Sequence, residues 1–192
     1  PAEWVELGRS SLLAGDGAAA RPALLRGRTV ADSLRNGAMS IAARNNLAIA
    51  ARLEGDRDEA PRQARAALAL AVGAGDSAQA ALCAQRLGEV HLWRGELRET
   101  ETLWARALTA AGNGSPERVV SLELNLGAVA ARLGNLDAAE AHFRKADTAA
   151  QRAGLEGYRW LVPLGMGDVA ERRGRFAEAV RYDRRAATMI DT

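Results

Sequence analysis

The chain has 192 residues, of which 48% are hydrophobic but only 4% aromatic, so a core built from it must consist mainly of alanine and leucine. Its 26 basic and 24 acidic residues are interspersed and leave a formal net charge of +2, which is only weak evidence for a polyanion partner. The single cysteine, Cys83, excludes an internal disulfide and fits a reducing compartment, so we expect a cytoplasmic protein. No apolar run approaches the roughly 20 residues that span a bilayer, and we expect no membrane partner.

Apolar residues recur every three or four positions along ten stretches, which predicts ten helices in five consecutive pairs. The first helices of the pairs are predicted at residues 2–14, 38–53, 77–94, 116–133 and 157–173. The second helices are predicted at residues 18–35, 57–73, 97–111, 136–153 and 176–190. Prolines are expected to interrupt or delay some of these helices at Pro22, Pro61 and above all Pro163. No stretch has the alternation of a β-strand.

Glycine-bearing breaks separate the five helix pairs. They occur at Asn36-Gly37, Gly73 to Asp76, Gly112 to Ser115 and Gly154 to Gly157. They divide the chain into units at residues 1–36, 37–75, 76–114, 115–154 and 155–192. Because five helical hairpins leave no room for a second domain, we expect one domain. The chain begins with Pro1 instead of methionine, and we expect it to be excised from a longer protein.

Small residues recur in every unit at intervals of 39 to 40 residues. On the first helices they are Gly8, Ala48, Gly88, Gly127 and Gly167, and on the second helices Ala20, Ala60, Thr100, Ala139 and Ala179. Small side chains allow two helix backbones to approach closely, so this periodicity predicts the contact within each pair. Self-similarity at one period over a whole chain indicates a stacked array of hairpins.

These units resemble tetratricopeptide repeats (TPRs). The resemblance rests on Trp4, Leu7, Gly8, Gly15, Ala20, Leu87, Gly88, Gly95, Trp104, Ala107, Leu126, Gly127, Gly134, Ala139, Phe143 and Ala146. It implies an all-α fold, a right-handed α-α superhelix or TPR-like solenoid of five helical hairpins. The period is longer than the family's commoner 34 residues and is similar to that of kinesin light chains and of large bacterial transcription activators resembling the maltose-responsive regulator. The sequence departs from the family pattern at Ala48, where glycine is usual, and at Asp183, where an aromatic residue is usual.

Groups that could perform chemistry are few. We expect His91 to be packed in the core, His142 to lie half a unit away on a second helix, and Cys83 to be an inert buried thiol. Carboxylate pairs such as Asp58 and Glu59 fall in first turns, where they complement the helix dipole. Because no two catalytic groups are brought together by their spacing, we expect no enzyme, no cofactor and no metal site.

The face of the first helices opposite the paired helix carries the candidate binding residues. They are Asn45, Asn46, Gln85, Arg86, Glu89, Trp93, Asn125, Arg132 and Asp168. In TPR arrays this face lines a concave groove where asparagines hold the backbone of a bound peptide, so the resemblance implies that role for Asn46 and Asn125. An amide offers a donor and an acceptor, as an extended main chain requires. The competing interpretation is that these amides bridge neighbouring repeats or are solvated, and for Trp93 we favour packing on an adjacent hairpin.

Position in the array also limits where a groove can lie. Glu6 and Gly165 interrupt the series of binding positions at the two ends, so the groove should centre on units two to four. At the last helix Val180, Ala187, Met189 and Ile190 form an apolar side. A solenoid end of this kind needs a cover, so we expect further repeats or end-to-end self-association.

The sequence therefore predicts a non-catalytic scaffold for a protein or peptide ligand. The resemblance implies the sensor or interaction domain of a bacterial cytoplasmic signalling or transcription regulator. One alternative is a site for a small effector, which an apolar pocket ringed by Trp93 and Asn125 would favour. A second alternative is nucleic-acid binding through the terminal cations Arg172, Arg173, Arg175, Arg181, Arg184 and Arg185. Interleaved acidic residues favour a solvated, self-paired helix face over a phosphate-binding patch, and we do not expect this chain itself to bind nucleic acid.

Overall fold

A computed structural model of the chain describes residues 1–111 and 115–190, and within them every regular element is an α-helix. The helices are α1 (Ala2–Leu13), α2 (Gly17–Ser33), α3 (Gly37–Leu53), α4 (Glu59–Gly73), α5 (Ser77–Arg94), α6 (Leu97–Ala111), α7 (Pro116–Arg132), α8 (Leu136–Ala153), α9 (Glu156–Arg159), α10 (Leu161–Arg172) and α11 (Phe176–Ile190). They make five consecutive hairpins, and the predicted all-α class is confirmed. The predicted break at residues 112–114 and the side chain of Ile190 lie outside the described residues.

The chain packs as two compact units, residues 1–103 and residues 104–192. In the first unit α2 packs on α1 and α3, and α4 packs on α3 and α5. In the second unit α8 packs on α7 and α10, and α10 packs on α11. The expectation of one domain stays a prediction.

No helix in the described part of the chain combines the length and the apolar character that crossing a bilayer requires.

Side-chain caps fix the first residues of several helices. Asp16, Asn36 and Asp76 each accept a hydrogen bond from the backbone N–H three residues later, at 2.8, 3.1 and 2.9 Å. Ser115 caps α7 in the same way, as its sequence context predicts. Each cap satisfies one of the free N–H groups at a helix start and stabilises it by about 1 kcal/mol. At the other end of α5 the turn glycine Gly95 has φ of +82°, a conformation that a side chain would strain.

The small residues lie at the contact between paired helices, which confirms that prediction. A Cβ atom added to Gly8 would stand 2.4 Å from Cγ of Leu24, and one added to Gly127 would stand 2.8 Å from the ring of Phe143. In the third hairpin Thr100 donates a hydrogen bond through Oγ1 to the carbonyl of Gly88 at 3.3 Å. The paired backbones therefore approach too closely for larger side chains.

Prolines affect the helices differently from one another. The helix predicted at residues 157–173 is divided, because α9 ends at Arg159 and α10 begins at Leu161. Pro163 lies in the first turn of α10, where its missing N–H removes no intrahelical bond, and Pro61 lies in the first turn of α4. The interruption predicted at Pro22 is wrong, because α2 continues through it. Pro22 stands in the second turn, so the helix loses only the bond to the carbonyl of residue 18.

Candidate functional site

The candidate residue Asn45 lies in the interior of the first unit. Its side chain is 8% exposed, and its Nδ2 donates to Sγ of Cys83 on α5 at 3.4 Å. The amide therefore bridges neighbouring hairpins, which is the competing interpretation of these amides. Burial raises the pKa of the Cys83 thiol, although the hydrogen bond from Asn45 partly opposes it, so the thiol stays protonated at neutral pH.

Other candidates of the first unit are engaged in local contacts. Arg86 pairs with Glu89 on the same helix at 2.9 Å. Trp93 is half-buried against an alanine-rich cluster and lies under the guanidinium of Arg57, 5.5 Å from the ring centroid, so it packs on the preceding hairpin. Asn46 and Gln85 are also half-buried. Within the residues described for this unit, the side chain of Asn46 makes no hydrogen bond.

The second unit contains an apolar pocket of about 320 Å³ between α7, α8, α9 and α10. Its lining consists of Ser121, Leu124, Asn125, Ala128, Phe143, Tyr158, Leu161, Leu164, Gly165 and Asp168. Two predicted binding residues, Asn125 and Asp168, are thereby brought together. Arg132 is exposed on α7 and lies outside this lining.

The ring of Phe143 forms the inner wall of the pocket. Phe143 is 3% exposed, and its ring lies between two glycines on different helices. A Cβ atom would stand 2.8 Å from the ring at Gly127 and 2.4 Å from it at Gly165. Gly165 interrupts the series of polar binding positions on the first helices, because the ring of Phe143 occupies the space that a larger side chain would need. In the fifth hairpin Asp183 takes the place of the aromatic residue, and its Oδ1 would meet a Cβ on Gly167 at 2.7 Å.

The outer side of the pocket comes from the break between α9 and α10. Tyr158 lies on α9, whereas Leu161 and Leu164 lie on the first turn of α10. Sequence reasoning missed these three residues as site residues. The signal that could have found them is helical spacing, because Tyr158, Leu161 and Leu164 precede Asp168 at intervals of three or four residues and so share its helix face.

The side chains of Asn125 and Asp168 are among the polar groups in the lining of this pocket. Asp168 is paired with Nε of Arg172 one turn later, at 2.8 to 2.9 Å. The half-buried amide of Asn125 makes no hydrogen bond to any described group. Its donors and its acceptor remain available to an occupant of the pocket.

Each of the two histidines contacts a different glutamate through Nδ1. Nδ1 of His91, which is buried as predicted, lies 2.5 Å from Oε2 of Glu96. Burial raises the pKa of Glu96, but hydrogen bonds from His91 and Arg94 outweigh it and leave that pKa below its ordinary value. His142 makes the corresponding contact with the buried Glu123 at 2.6 Å. Across residues 1–111 and 115–190, no group of three or more histidine, cysteine or acidic side chains is placed to hold a metal ion.

The terminal arginines are partly paired with acidic residues. Arg172 binds Asp168, Arg173 binds Asp137 and Glu140, and Arg175 lies 3.6 Å from Glu178. Paired cations attract phosphates less strongly than free ones, so these contacts favour the self-paired helix face over a phosphate-binding patch.

No protein-family model matches the sequence, and no curated protein matches it. Among solved structures, a putative kinesin light chain from Podosopora anserina with nearly identical TPR-like repeats superposes with a TM-score of 0.83. The alignment covers 97% of this chain and 93% of that chain at 15% identity. The chain has the fold of a TPR-type repeat domain.

Two further structures share this TPR-type fold. A signal-transduction ATPase with numerous domains from Pyrococcus horikoshii, which carries a tetratricopeptide repeat sensor, gives a TM-score of 0.87 at 15% identity, over 97% of this chain and 28% of that chain. A Rap protein complexed with competence and sporulation factor gives a TM-score of 0.75 at 12% identity, over 98% of this chain and 62% of that chain. At such identities the likeness establishes the TPR-type fold alone.

Proposed function

We propose that this domain is a non-catalytic scaffold that binds a protein or peptide segment, with an apolar side chain of that segment entering the pocket of the second unit. The observation that carries the proposal is the position of Asn125, whose unbonded amide stands beside an apolar pocket. The main chain of an extended segment would donate a hydrogen bond to the Asn125 amide and accept one from it. A side chain of the same segment would leave water and pack against Leu161 and Leu164. Burying one such side chain contributes about 1.5 to 3 kcal/mol.

The wider role is proposed from the proteins that share the fold. One is described as carrying a TPR sensor and another as complexed with competence and sporulation factor. These descriptions support a domain that receives a partner in a signalling protein, and we propose a bacterial cytoplasmic signalling or transcription regulator, as the resemblance of the sequence implies. In the first unit we propose an accessory contact at Asn46, assisted by Gln85 and the Arg86–Glu89 pair, whereas Asn45 and Trp93 serve packing.

The proposal can be tested by panning a displayed library of random peptides against the domain and measuring the affinity of the enriched peptides for variants. Asn125→Ala removes the amide, and Ala128→Trp fills the pocket from an exposed position on α7. We expect each to weaken binding by about tenfold or more, because a lost hydrogen bond or an occupied pocket costs about 1.4 kcal/mol or more.

Matched controls come from the same unit. Asn135→Ala and Ala138→Trp alter the same residue types at exposed positions outside the pocket and should leave the affinity unchanged. Peptides that bind both pocket variants as tightly as the parent domain would contradict the proposed site.

A small effector is the second candidate function, because about 320 Å³ lies within the range of small-molecule pockets. The lining includes Asn125 but not Trp93, so the site is not the one that the sequence suggested for this alternative. Screening small apolar compounds by thermal shift would separate the two functions. Compounds that stabilise the parent domain but not Ala128→Trp, together with a peptide library that yields no binder, would favour the effector.

A further inference from the structure

Helix α9 is held less firmly than the other elements that line the pocket. It is a single turn of four residues, none of which is buried, whereas nine residues of α7 and four each of α8 and α10 are buried. A single helical turn is not stable by itself, so α9 depends on its contacts with α8 and α10. Segments with few buried contacts open more readily than the rest of a domain.

An ion pair fastens α9 to α8. Nε of Arg159 lies 3.4 Å from Oδ1 of Asp147, and the two side chains are 23% and 28% exposed. Nη1 of the same guanidinium donates to Glu156 on α9 at 2.7 Å. Asp147 also accepts a hydrogen bond from Gln151 on its own helix at 2.8 Å. Each member of the ion pair therefore keeps a polar partner when the two helices separate, so separation leaves neither charge isolated.

The side chain of Tyr158 couples this ion pair to the pocket. Tyr158 lines the pocket and is the residue before Arg159, so a movement of α9 that separates Arg159 from Asp147 also displaces the ring. The other walls belong to α7, α8 and α10, which pack on one another. Those helices can stay in place while α9 moves, and the pocket then becomes wider at Tyr158.

The chain is interrupted on both sides of α9. Before it, Gly154 ends α8 with φ of +67°, a conformation that glycine adopts without strain. After it, α10 starts at Leu161, and Pro163 has no N–H to bond the carbonyl of Arg159. Hinges of closing segments are a few residues at the ends of elements, which is where these two interruptions lie.

We propose that α9 is a gate on the pocket, which the Arg159–Asp147 pair holds closed and which opens to admit and release the ligand. This inference rests on the proposed function, because it concerns entry to the same pocket. When the gate is closed, the ring of Tyr158 covers part of a bound side chain. A partly exposed ion pair contributes little free energy, so the gate opens without unfolding of the domain.

The binding kinetics of a peptide enriched from the displayed library test the gate. Asp147→Asn keeps the size of the side chain but removes the charge that holds α9. Because the free and the ligand-bound domain open through the same contact, the association and dissociation rate constants should both rise by about two- to fivefold, the size expected for a partly exposed ion pair. The Kd should stay nearly constant. Arg159→Gln should act in the same direction.

Amide hydrogen exchange of the free domain gives a readout that needs no ligand. Exchange at residues 156–160 should be faster in Asp147→Asn than in the parent domain. Asp137→Asn is the matched control, because it removes the same charge from α8 at an ion pair with Arg173, which keeps Glu140 at 2.8 Å. It should leave both rate constants and the exchange of α9 unchanged.

Peptides that need the pocket, as shown by Ala128→Trp, but that bind Asp147→Asn with the rate constants of the parent domain would overturn the gate and leave the proposed function standing. Faster dissociation without faster association would also overturn it, because that indicates a lost wall contact instead of easier opening. So would equal hydrogen exchange of α9 in Asp147→Asn and the parent domain. A library that yields no pocket-dependent peptide would overturn the proposed function and the gate with it.

Discussion

At the scale of single residues, the ring of Phe143 determines both the packing and the pocket of the second unit. The sequence identified Gly127 as a close-contact position because it recurs in the repeat. It presented Gly165 only as a gap in a polar series, since the ring that lies against it belongs to the preceding hairpin. Contacts between helices that are distant in sequence do not follow from the repeat alone.

Gly165→Ala should destabilise the domain by about 1 to 3 kcal/mol, because the added methyl would stand 2.4 Å from the ring and displace it. Gly127→Leu should act in the same direction. The measurement is the midpoint of urea unfolding. Gly157→Ala is the control, since its Cβ would meet nothing within 4 Å, and it should be neutral or slightly stabilising. Equal unfolding midpoints for Gly165→Ala and the parent domain would refute the close contact between Gly165 and the ring of Phe143.

At the scale of helices, most elements could be predicted because their apolar period and their glycine turns agree. The predicted helix at 77–94 matches α5, and the one at 136–153 matches α8. The division into α9 and α10 was only partly foreseen through Pro163. The pocket was not foreseen, because its walls come from helices of two hairpins, and the repeat alone does not show which side chains meet between them.

Pro163→Ala should lengthen the helix across this break. The new N–H at residue 163 can bond to the carbonyl of Arg159, which proline prevents. We expect slower amide hydrogen exchange at residues 161–164, whereas binding in the pocket should change little, because Tyr158 and Leu161 are three residues apart and share one face of a continuous helix. Stability should change by about 1 kcal/mol or less. Pro116→Ala at the start of α7 is the control, and unchanged exchange in Pro163→Ala would show that the break has another cause.

At the scale of the whole molecule, several carboxylates are held ionised by the fold. Backbone hydrogen bonds from Glu59 and Asp58 lower the pKa of Asp56, and the hydroxyl of Ser115 lowers that of Glu117. For Glu59, burial raises the pKa, but hydrogen bonds from Gln63 and Arg62 outweigh it. A carboxylate whose folded pKa is below its unfolded value stabilises the fold above the unfolded value.

The free energy of unfolding should therefore be nearly constant around neutral pH and should fall as the pH drops below about 4.5, the ordinary value for glutamate. Denaturant unfolding between pH 7 and pH 3 measures this. Glu59→Gln should lower stability at pH 7 and make the acid decline shallower. Glu171→Gln, at an exposed position on α10, should leave both unchanged. An equally steep decline in Glu59→Gln would exclude Glu59 as a source of the acid sensitivity.

The shared use of one aromatic ring restricts how this pocket can diverge among related chains. A mutation that reshapes the inner wall at Phe143 also loosens three helices, so selection against misfolding would remove most such changes. Changes of the exposed or half-buried side chains at positions 158, 161 and 164 are not restricted in this way. Ligand preference should therefore evolve through the rim, while the aromatic base stays the same.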